Sequence, residues 1–207
     1  MKIISSFSQY GWAIIPRILK GILRRIGIVF ETYYLLEYII DPIIIEDKMK
    51  KYNYSNVKLL QMEDLIRLKD FENTKIELFK KRFMSNQYSG YAIFQDDNLV
   101  YLTWISWTQM NYPSLFNLKH PLLNNEALLE DSYCNPDYRG KGFHSMMNIF
   151  RMNEINKYGK TKVLALVLKE NKPALKVQIK SGFNFKELIS IKKFGKWSKI
   201  TKKLYYD

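Results

Sequence analysis

The segment with the clearest chemical potential is a glycine-rich turn at residues 135–144, which reads Asn-Pro-Asp-Tyr-Arg-Gly-Lys-Gly-Phe-His. Gly140 and Gly142 allow the main chain to approach a ligand closely. The helix predicted directly after the turn directs its unpaired N–H groups and its positive dipole end at the same place. Arg139 and Lys141 add positive charge. Taken alone the turn can equally be structural, and its spacing matches neither the P-loop nor the dinucleotide-binding motif.

A second segment begins at Asn171 and reads Asn-Lys-Pro-Ala-Leu-Lys-Val-Gln-Ile-Lys-Ser-Gly-Phe. It follows a predicted strand and favours a short helix that ends at Gly182. The two segments together resemble two motifs of the GNAT superfamily of N-acetyltransferases, Arg-x-x-Gly-x-(Gly/Ala) and Asn-x-x-Ala-x-x-x-Tyr-x-x-x-Gly-Phe. The order of predicted elements from Val57 onward is also similar to that family, so the resemblance covers about three quarters of the chain.

The resemblance implies a fold, an activity and a set of ligand contacts. The implied fold is α/β (α+β), with a mixed, mostly antiparallel central sheet flanked by helices. The implied activity is N-acyltransfer, in which a primary amine of a small molecule directly attacks the thioester of acetyl-CoA, with no metal. Main-chain N–H groups around Tyr133 to Asn135 are expected to polarise the thioester carbonyl, since family members splay two parallel strands there. The full set of expected cofactor contacts is Tyr133, Cys134, Asn135, Arg139, Gly140, Lys141, Gly142, Phe143, His144 and Asn171.

Two positions depart from the family pattern. His144 stands where the family usually has Gly or Ala, which alters the packing of the pyrophosphate against the start of the helix. Gln178 stands where many members have the tyrosine that protonates the leaving thiolate, and an amide cannot be that acid. Either another group or water takes this role, because a thiol with a pKa of about 8.5 is a tolerable leaving group near neutral pH.

Two carboxylates are candidate bases. A lysine-like amine, with a pKa of about 10.4, is protonated at neutral pH and must lose a proton before it attacks. Glu130 and Asp131 lie on the strand that enters the site, and strand alternation puts them on opposite faces, so only one can point at the substrate. We favour Asp131 slightly, because it shares a face with Tyr133 and Asn135. Either carboxylate can instead be a surface or structural group.

The remaining candidates have simpler interpretations. His120 and His144 are the only histidines, and each is a possible base, although a surface or packing role is the simpler reading. Cys134 is the single cysteine. Direct attack needs no acyl-enzyme, so we interpret this cysteine as a small buried strand residue.

Aromatic residues border the predicted acceptor site, namely Tyr101, Trp104, Trp107 and Tyr112. Aromatic rings suit sugars and planar groups, and they are also ordinary sheet residues. Residues 108–125 are predicted to form a long loop that acts as a lid over the acceptor. These features point weakly to an amino sugar made for a surface glycan, or to another small amine.

The elements that must position these residues alternate along the chain. Predicted strands cover 32–40, 57–61, 91–94, 99–107, 127–135, 163–168, 185–192 and 198–206, and predicted helices begin near residue 63 and cover 75–84, 143–158 and 173–180. Residues 95–98 are predicted to form a turn and residues 48–56 a polar connector. Interleaved helices and strands indicate a mixed α/β class.

Composition and charge limit the alternatives. The 207 residues fit one domain, and 47% apolar residues exclude a disordered chain.

The net charge is +13, and residues 174–207 contain nine basic and two acidic residues. Such a surplus indicates an anionic partner. We expect no nucleic acid, because no recognition helix or known motif is present. One cysteine forms no internal disulfide, which favours the cytoplasm.

The N-terminal region, residues 1–56, is predicted to be an extension before a domain of residues 57–207. Residues 12–30 are apolar, but four basic residues within them argue against a transmembrane helix. A helix here would have one apolar and one basic face. It can pack on its own domain or lie on the anionic inner face of a membrane. A homodimer stays open, and so does a non-catalytic module that binds acyl-CoA or a partner.

Overall fold

The computed structural model describes residues 21–24, 26–68, 71–95, 98–112 and 115–205, with only the backbone at 115–118. The elements, in chain order, are β1 (Ile28–Ile39), α1 (Pro42–Met49), β2 (Val57–Leu59), a 3-10 turn (Met62–Arg67), α2 (Asn73–Ser85), β3 (Tyr88–Gln95), β4 (Asn98–Ser106), β5 (Gln109–Tyr112), β6 (Leu115–Pro121), β7 (Glu126–Cys134), a 3-10 turn (Pro136–Tyr138), α3 (Phe143–Lys157), β8 (Lys162–Leu168), α4 (Lys172–Lys180), β9 (Asn184–Phe194) and β10 (Trp197–Leu204).

The core of the fold is a mixed sheet of eight strands in the order β10-β9-β1-β8-β7-β4-β3-β2. Within this sheet β7 and β8 run parallel, and the other neighbouring strands are antiparallel. Strands β5 and β6 form a separate hairpin. The predicted fold, a mixed and mostly antiparallel sheet flanked by helices, is confirmed.

Strand β1 occupies the middle of the sheet, although it precedes the predicted start of the domain. It pairs on one side with β8 and on the other with β9. The connection from β8 through α4 to β9 leaves space for one strand, and β1 fills it. The strand of the N-terminal region therefore belongs to the same sheet as the strands that follow residue 57.

The prediction of a helix over residues 12–30 is wrong at its C-terminal end. Residues 21–24 are helical, but β1 begins at Ile28 because residues 28–31 pair with Phe194–Ile191 of β9. Residues 12–20 and 25 lie outside the described residues, and contact of this helix with a membrane stays a prediction. Among the helices that the structure describes, none has the length and apolar content needed to span a membrane.

Alternate residues of β4 show which elements cover each face of the sheet. Tyr101 and Ile105 pack with Met147 and Met152 of α3. Leu102 and Trp104 point the other way and pack with Phe79 of α2. Because successive strand residues point to opposite faces, α3 and α2 lie on opposite sides of the sheet. The α3 face also holds Ile45 of α1 and Leu175 of α4, and the other face also carries the hairpin through Met110 and Tyr112.

Two segments differ from their predictions. Helix α1 was not predicted, yet Asp41 is its N-cap and accepts hydrogen bonds from the N–H groups of Ile43 and Ile44 at 2.9 and 3.2 Å. Asp followed by Pro is itself a helix-start pattern. The predicted loop at 108–125 instead contains the hairpin β5–β6, in which Met110 is opposite His120. Both segments lack the long periodicity that identifies an element from sequence.

We predict that β1 contributes to stability as a core strand. Leu36 is fully buried, whereas Ile39, on the same strand, is 60% exposed. Leu36→Ala should lower the free energy of unfolding by about 2–5 kcal/mol, because a buried side chain leaves a cavity. Ile39→Ala should change it by less than about 0.5 kcal/mol. Urea denaturation of both variants measures the difference, and similar small effects would contradict the central position of β1.

Candidate functional site

The parallel strands β7 and β8 separate part of the way along their length. Their pairing runs from Glu126 with Lys162 to Leu129 with Ala165. Beyond that point β7 continues against β4, and β8 continues against β1. The two strands therefore diverge and leave a gap in the sheet at their carboxyl ends. This is the splay that the resemblance implied.

The glycine-rich turn begins where β7 ends and is fixed to β4 by Asn135. The Asn135 side chain donates from Nδ2 to the carbonyl oxygen of Leu99 at 3.0 Å and accepts from the N–H of Asp137 at 3.1 Å. Arg139 Nε donates to the carbonyl oxygen of Cys134 at 3.3 Å. These bonds position the turn beside the gap.

The turn has the backbone of an open anion cradle. Gly140 and Gly142 have φ of 79° and 82°, a conformation that side-chain-bearing residues rarely adopt. A Cβ atom added to either would meet no atom within 4 Å, so space is open in front of both. Gly142 is the N-cap of α3 and provides no side-chain capping bond. Lys141 Nζ lies 4.7 Å from the centre of the Tyr138 ring. The predicted donors for an anion thus surround free space.

Asn171 lies at the same edge of the sheet, because the parallel strands β7 and β8 both end there. It is the N-cap of α4, and its side chain accepts from the N–H of Ala174 at 3.3 Å. Its role in the structure is to start this helix, and a contact with a ligand stays a prediction.

Gln178 is a buried member of a polar network between α3 and α4. Its Oε1 accepts from Asn148 Nδ2 at 2.9 Å, and Asn148 Oδ1 accepts from Arg151 Nη2 at 2.5 Å. Burial lowers the pKa of Arg151 to about 10, so the guanidinium stays protonated at neutral pH. The Gln178 amide therefore holds Asn148, which in turn accepts from the buried guanidinium, and Gln178 itself carries no acidic proton.

The two histidines are far apart in the fold. His120 is exposed on β6. His144 lies in the first turn of α3, and burial together with Arg151 lowers its pKa to about 4, so it is neutral at pH 7. Its Nε2 atom is buried with no hydrogen-bond partner among the described residues.

The other predicted cofactor contacts flank the gap. The Tyr133 ring packs against Phe71 at 4.8 Å on the α2 face. Cys134 is half-buried at the end of β7, and burial raises the pKa of its thiol. Phe143 packs beside Tyr138, with ring centres 6.5 Å apart. The Tyr133 side chain therefore packs on the α2 face of the sheet.

The prediction that Glu130 and Asp131 point to opposite faces is wrong, because β7 contains a bulge. Trp104 of β4 is opposite Glu130 and Leu102 is opposite Tyr133, so one β7 residue has no partner. Asp131 has a φ of 45°, in the left-handed region. The bulge directs both carboxylates to the same cavity.

Arg82 of α2 joins the two carboxylates. Its Nη2 atom lies 2.6 Å from both Glu130 Oε2 and Asp131 Oδ2, and Lys75 Nζ lies 2.5 Å from Asp131 Oδ1. Burial raises the pKa of Glu130 to about 7, although Arg82 opposes this change. Burial also disfavours ionised Asp131, but Arg82 and Lys75 together hold its pKa below the ordinary value. Glu130 can therefore exchange a proton near neutral pH, whereas Asp131 stays ionised.

A cavity of about 320 Å³ lies on the α2 face, between α2 and the β5–β6 hairpin. Glu130 and Leu166, the residues that follow the last β7–β8 pair, both line it. The cavity thus reaches the gap from one face, while α3 and the glycine-rich turn approach from the other. The cavity and the glycine-rich turn therefore both adjoin the part of β7 that has parted from β8.

The aromatic residues divide between the core and the cavity. Tyr101 and Trp104 are fully buried. Trp107 donates to Ser89 Oγ at 2.9 Å. Tyr112 lines the cavity, and so does Tyr88, which was not among the predicted site residues.

Lys75 and Arg82 also line the cavity, and the sequence did not indicate them as site residues. Their spacing of seven places them on one face of a helix, but nothing in the sequence shows which strand that face meets.

Comparisons with known proteins support the fold. No family model matches the chain, and no curated protein matches it. Among solved structures, a GNAT-family protein from Novosphingobium aromaticivorans is 11% identical, with a TM-score of 0.56 over 83% of this chain and 67% of that one. A GNAT-family acetyltransferase from Colwellia psychrerythraea is 11% identical, with a TM-score of 0.56 over 86% of this chain and 61% of that one. A conserved protein of unknown function from Staphylococcus epidermidis is 10% identical, with a TM-score of 0.57 over 86% and 67%. The chain therefore has the GNAT fold.

We predict that Arg82 neutralises the carboxylate pair. Arg82→Met should lower the free energy of unfolding by about 3–5 kcal/mol at pH 8, because it leaves two buried carboxylates without their shared cation. The loss should be smaller at pH 5, where those carboxyls, with pKa values raised by the substitution, bind protons in the folded state.

The matched control is Lys80→Met on the same helix, where Lys80 pairs at the surface with Glu77 at 2.7 Å. Its effect should be below about 1 kcal/mol at both pH values. Urea denaturation at pH 5 and pH 8 gives the comparison. Equal losses for Arg82→Met at the two pH values would show that Arg82 acts through packing alone.

Proposed function

We propose that the protein is an acetyl-CoA-dependent N-acyltransferase that acetylates a primary amine of a small molecule. The observation that carries this proposal is the divergence of β7 and β8, with a carboxylate-containing cavity where their pairing ends and the glycine-rich turn after the carboxyl end of β7. The GNAT fold is consistent with this activity. In this arrangement the acyl donor and the amine enter from opposite faces and meet between the two strands.

The residues of the glycine-rich turn fit the pyrophosphate of CoA. The positive φ and open space at Gly140 and Gly142 let main-chain N–H groups approach phosphate oxygens, and Arg139 and Lys141 supply charge. Phe143 and His144 contribute N–H groups from the first turn of α3. When bound, acetyl-CoA supplies an acetyl group activated as a thioester.

Strand geometry selects one main-chain donor for the carbonyl. The N–H of Asn135 donates to the carbonyl oxygen of Val100 on β4 at 3.0 Å, so it is not free. Because N–H directions alternate along a strand, the N–H of Cys134 points away from β4, toward the gap. We therefore assign the Cys134 N–H to the carbonyl, where a fixed donor stabilises developing negative charge.

Glu130 is the better base of the two carboxylates. It lines the cavity at the gap, and its pKa of about 7 allows it to accept a proton from the acceptor ammonium. The neutral amine then attacks the carbonyl carbon, the C–S bond breaks, the thiolate leaves, and the nitrogen loses its second proton to water. Asp131, held by Lys75 and Arg82, positions the guanidinium instead. Since Gln178 carries no acidic proton, water protonates the thiolate.

The acceptor that fits this cavity is an amino sugar or another small amine. Tyr88 and Tyr112 provide ring faces, and Gln109 and Asn111 provide amide groups. Its volume lies at the lower end of about 300–1,000 Å³, the range of small-molecule pockets.

Transfer is tested by incubating the protein with acetyl-CoA and a panel of amino sugars, polyamines and amino acids. Free thiol and the N-acetyl product should form together. The alternative, a non-catalytic module that binds acyl-CoA, is favoured by Gln178 in the core. Thiol release that never exceeds the hydrolysis background, with CoA still bound, would establish that alternative.

We predict that Glu130→Gln lowers kcat/KM by about 10²–10⁴-fold, because the amide cannot accept a proton. In the wild type, kcat/KM should rise with pH through about 7, as Glu130 loses its proton and becomes a base. This inflection should be absent in the variant. Glu77→Gln, an exposed change on α2, is the control. A variant that keeps both the rate and the inflection would exclude Glu130 as the base.

We predict that Gly142→Ala weakens CoA binding at least tenfold, because its Cβ occupies the cradle. Gly159→Ala is a matched control at the other end of α3, since Gly159 has a φ of 74° and equally open surroundings. Both variants carry the same backbone strain. Calorimetric titration with CoA should therefore show a loss for Gly142→Ala alone. Equal affinity in the two variants would place the pyrophosphate elsewhere.

A further inference from the structure

We propose that the acceptor amine also carries an anionic group, a carboxylate or a phosphate, and that Lys81 and Lys119 bind this group. The inference rests on the proposed function, in which the cavity on the α2 face receives the acceptor. It narrows the substrate class from small amines in general to amines with an anion at their far end.

The charges that line the cavity do not balance. Its walls carry four cationic side chains, of Lys75, Lys81, Arg82 and Lys119, against the carboxylates of Glu130 and Asp131. Both carboxylates are already within 2.6 Å of a cation from Lys75 or Arg82. Lys81 and Lys119 are therefore a positive surplus.

The two surplus lysines lie on opposite walls. Lys81 is on α2, adjacent in sequence to Arg82, and Lys119 is on β6, paired in register with Asn111. Both side chains are exposed at the rim, whereas the carboxylates lie deeper. Among the residues that the structure describes, neither lysine forms an ion pair with an acidic side chain.

This arrangement suits a zwitterion better than a simple amine. An alkylammonium ion would meet a cavity of net positive charge, which disfavours its entry. An acceptor with an anion would place that group between Lys81 and Lys119 and its amine at Glu130. Gln109 also lines the cavity, and because its amide group has two N–H donors and one of them donates to Tyr88 Oη, the second can donate to an anionic oxygen.

The test is equilibrium binding of matched probes to the full chain. One arm uses ω-amino acids with three to six carbons against alkylamines of equal length, and the other uses ω-aminoalkyl phosphates against the same amines. We expect at least one anionic probe to bind at least tenfold more tightly than its amine, and the better arm identifies the anion. No preference at any length in either arm would overturn the proposal.

Variants then locate the anion. Lys81→Gln combined with Lys119→Gln should abolish the preference, because it weakens binding of the anionic probe and does not weaken binding of the alkylamine. The control pair, Lys80→Gln with Lys58→Gln, removes the same charge from exposed positions that do not line the cavity, and should keep the preference. Equal loss in both double variants would show general electrostatics and reject the assigned lysines.

The same probes separate this inference from the proposed function. Acetylation of amines and anionic amines at equal kcat/KM would reject the anion site and leave the transferase function intact. Preferential binding of the anionic probes with no acetyl product would reject the transferase function and leave the anion site intact.

Discussion

The divergence of β7 and β8 is the constraint on which the rest of the site depends. Two parallel strands tend to stay paired, so each needs another partner where they part. Strand β4 holds β7 through the pairing of Tyr101 with Cys134, and β1 holds β8 through the pairing of Leu35 with Leu166. Both sides of the gap are thus fully supported. The site opens inside the sheet instead of in a loop.

This dependence gives β1 a role beyond stability. It comes from the N-terminal part of the chain, yet it fixes the free edge of β8 at the level of the gap. The β8–α4–β9 connection skips one position in the sheet, and a sheet with that position empty would leave the end of β8 without hydrogen-bond partners. Strand β1 therefore helps to hold β8 in place where it diverges from β7.

The bulge at Asp131 brings two carboxylates into one cavity. In a regular strand Glu130 and Asp131 would be on opposite faces, and only one of them would line the cavity. With the bulge, both carboxylates contact Arg82, but their pKa values are shifted in opposite directions. Asp131, with a second cation from Lys75, stays ionised, whereas Glu130, more deeply buried, titrates near neutrality. One guanidinium can thus keep one carboxylate as a fixed charge and leave the other free to move a proton.

The sequence predicted the features that depend on short segments. The turn from Asn135 to His144 and the helix after it are local patterns, and the structure has both. The hairpin β5–β6 and the placement of β1 depend on pairing between distant segments, which periodicity does not encode. The ion pairs of Arg82 with the two carboxylates also join segments that are distant in sequence, so periodicity does not predict them either. Even the alternation rule failed at Asp131, because a bulge shifts the register by one residue without an obvious sequence signal.

The proposed geometry offers an explanation for part of the positive net charge. CoA carries several phosphates, and the proposed acceptor carries an anion of its own, so the proposed reaction would bring two negatively charged molecules together. Their mutual repulsion would oppose the encounter unless fixed cations offset it near each molecule. Arg139 and Lys141 lie beside the cradle on one face, and Lys81 and Lys119 lie beside the cavity on the other. In the proposed complex these two pairs of cations would each offset the charge of one ligand, so that the amine and the thioester can approach one another.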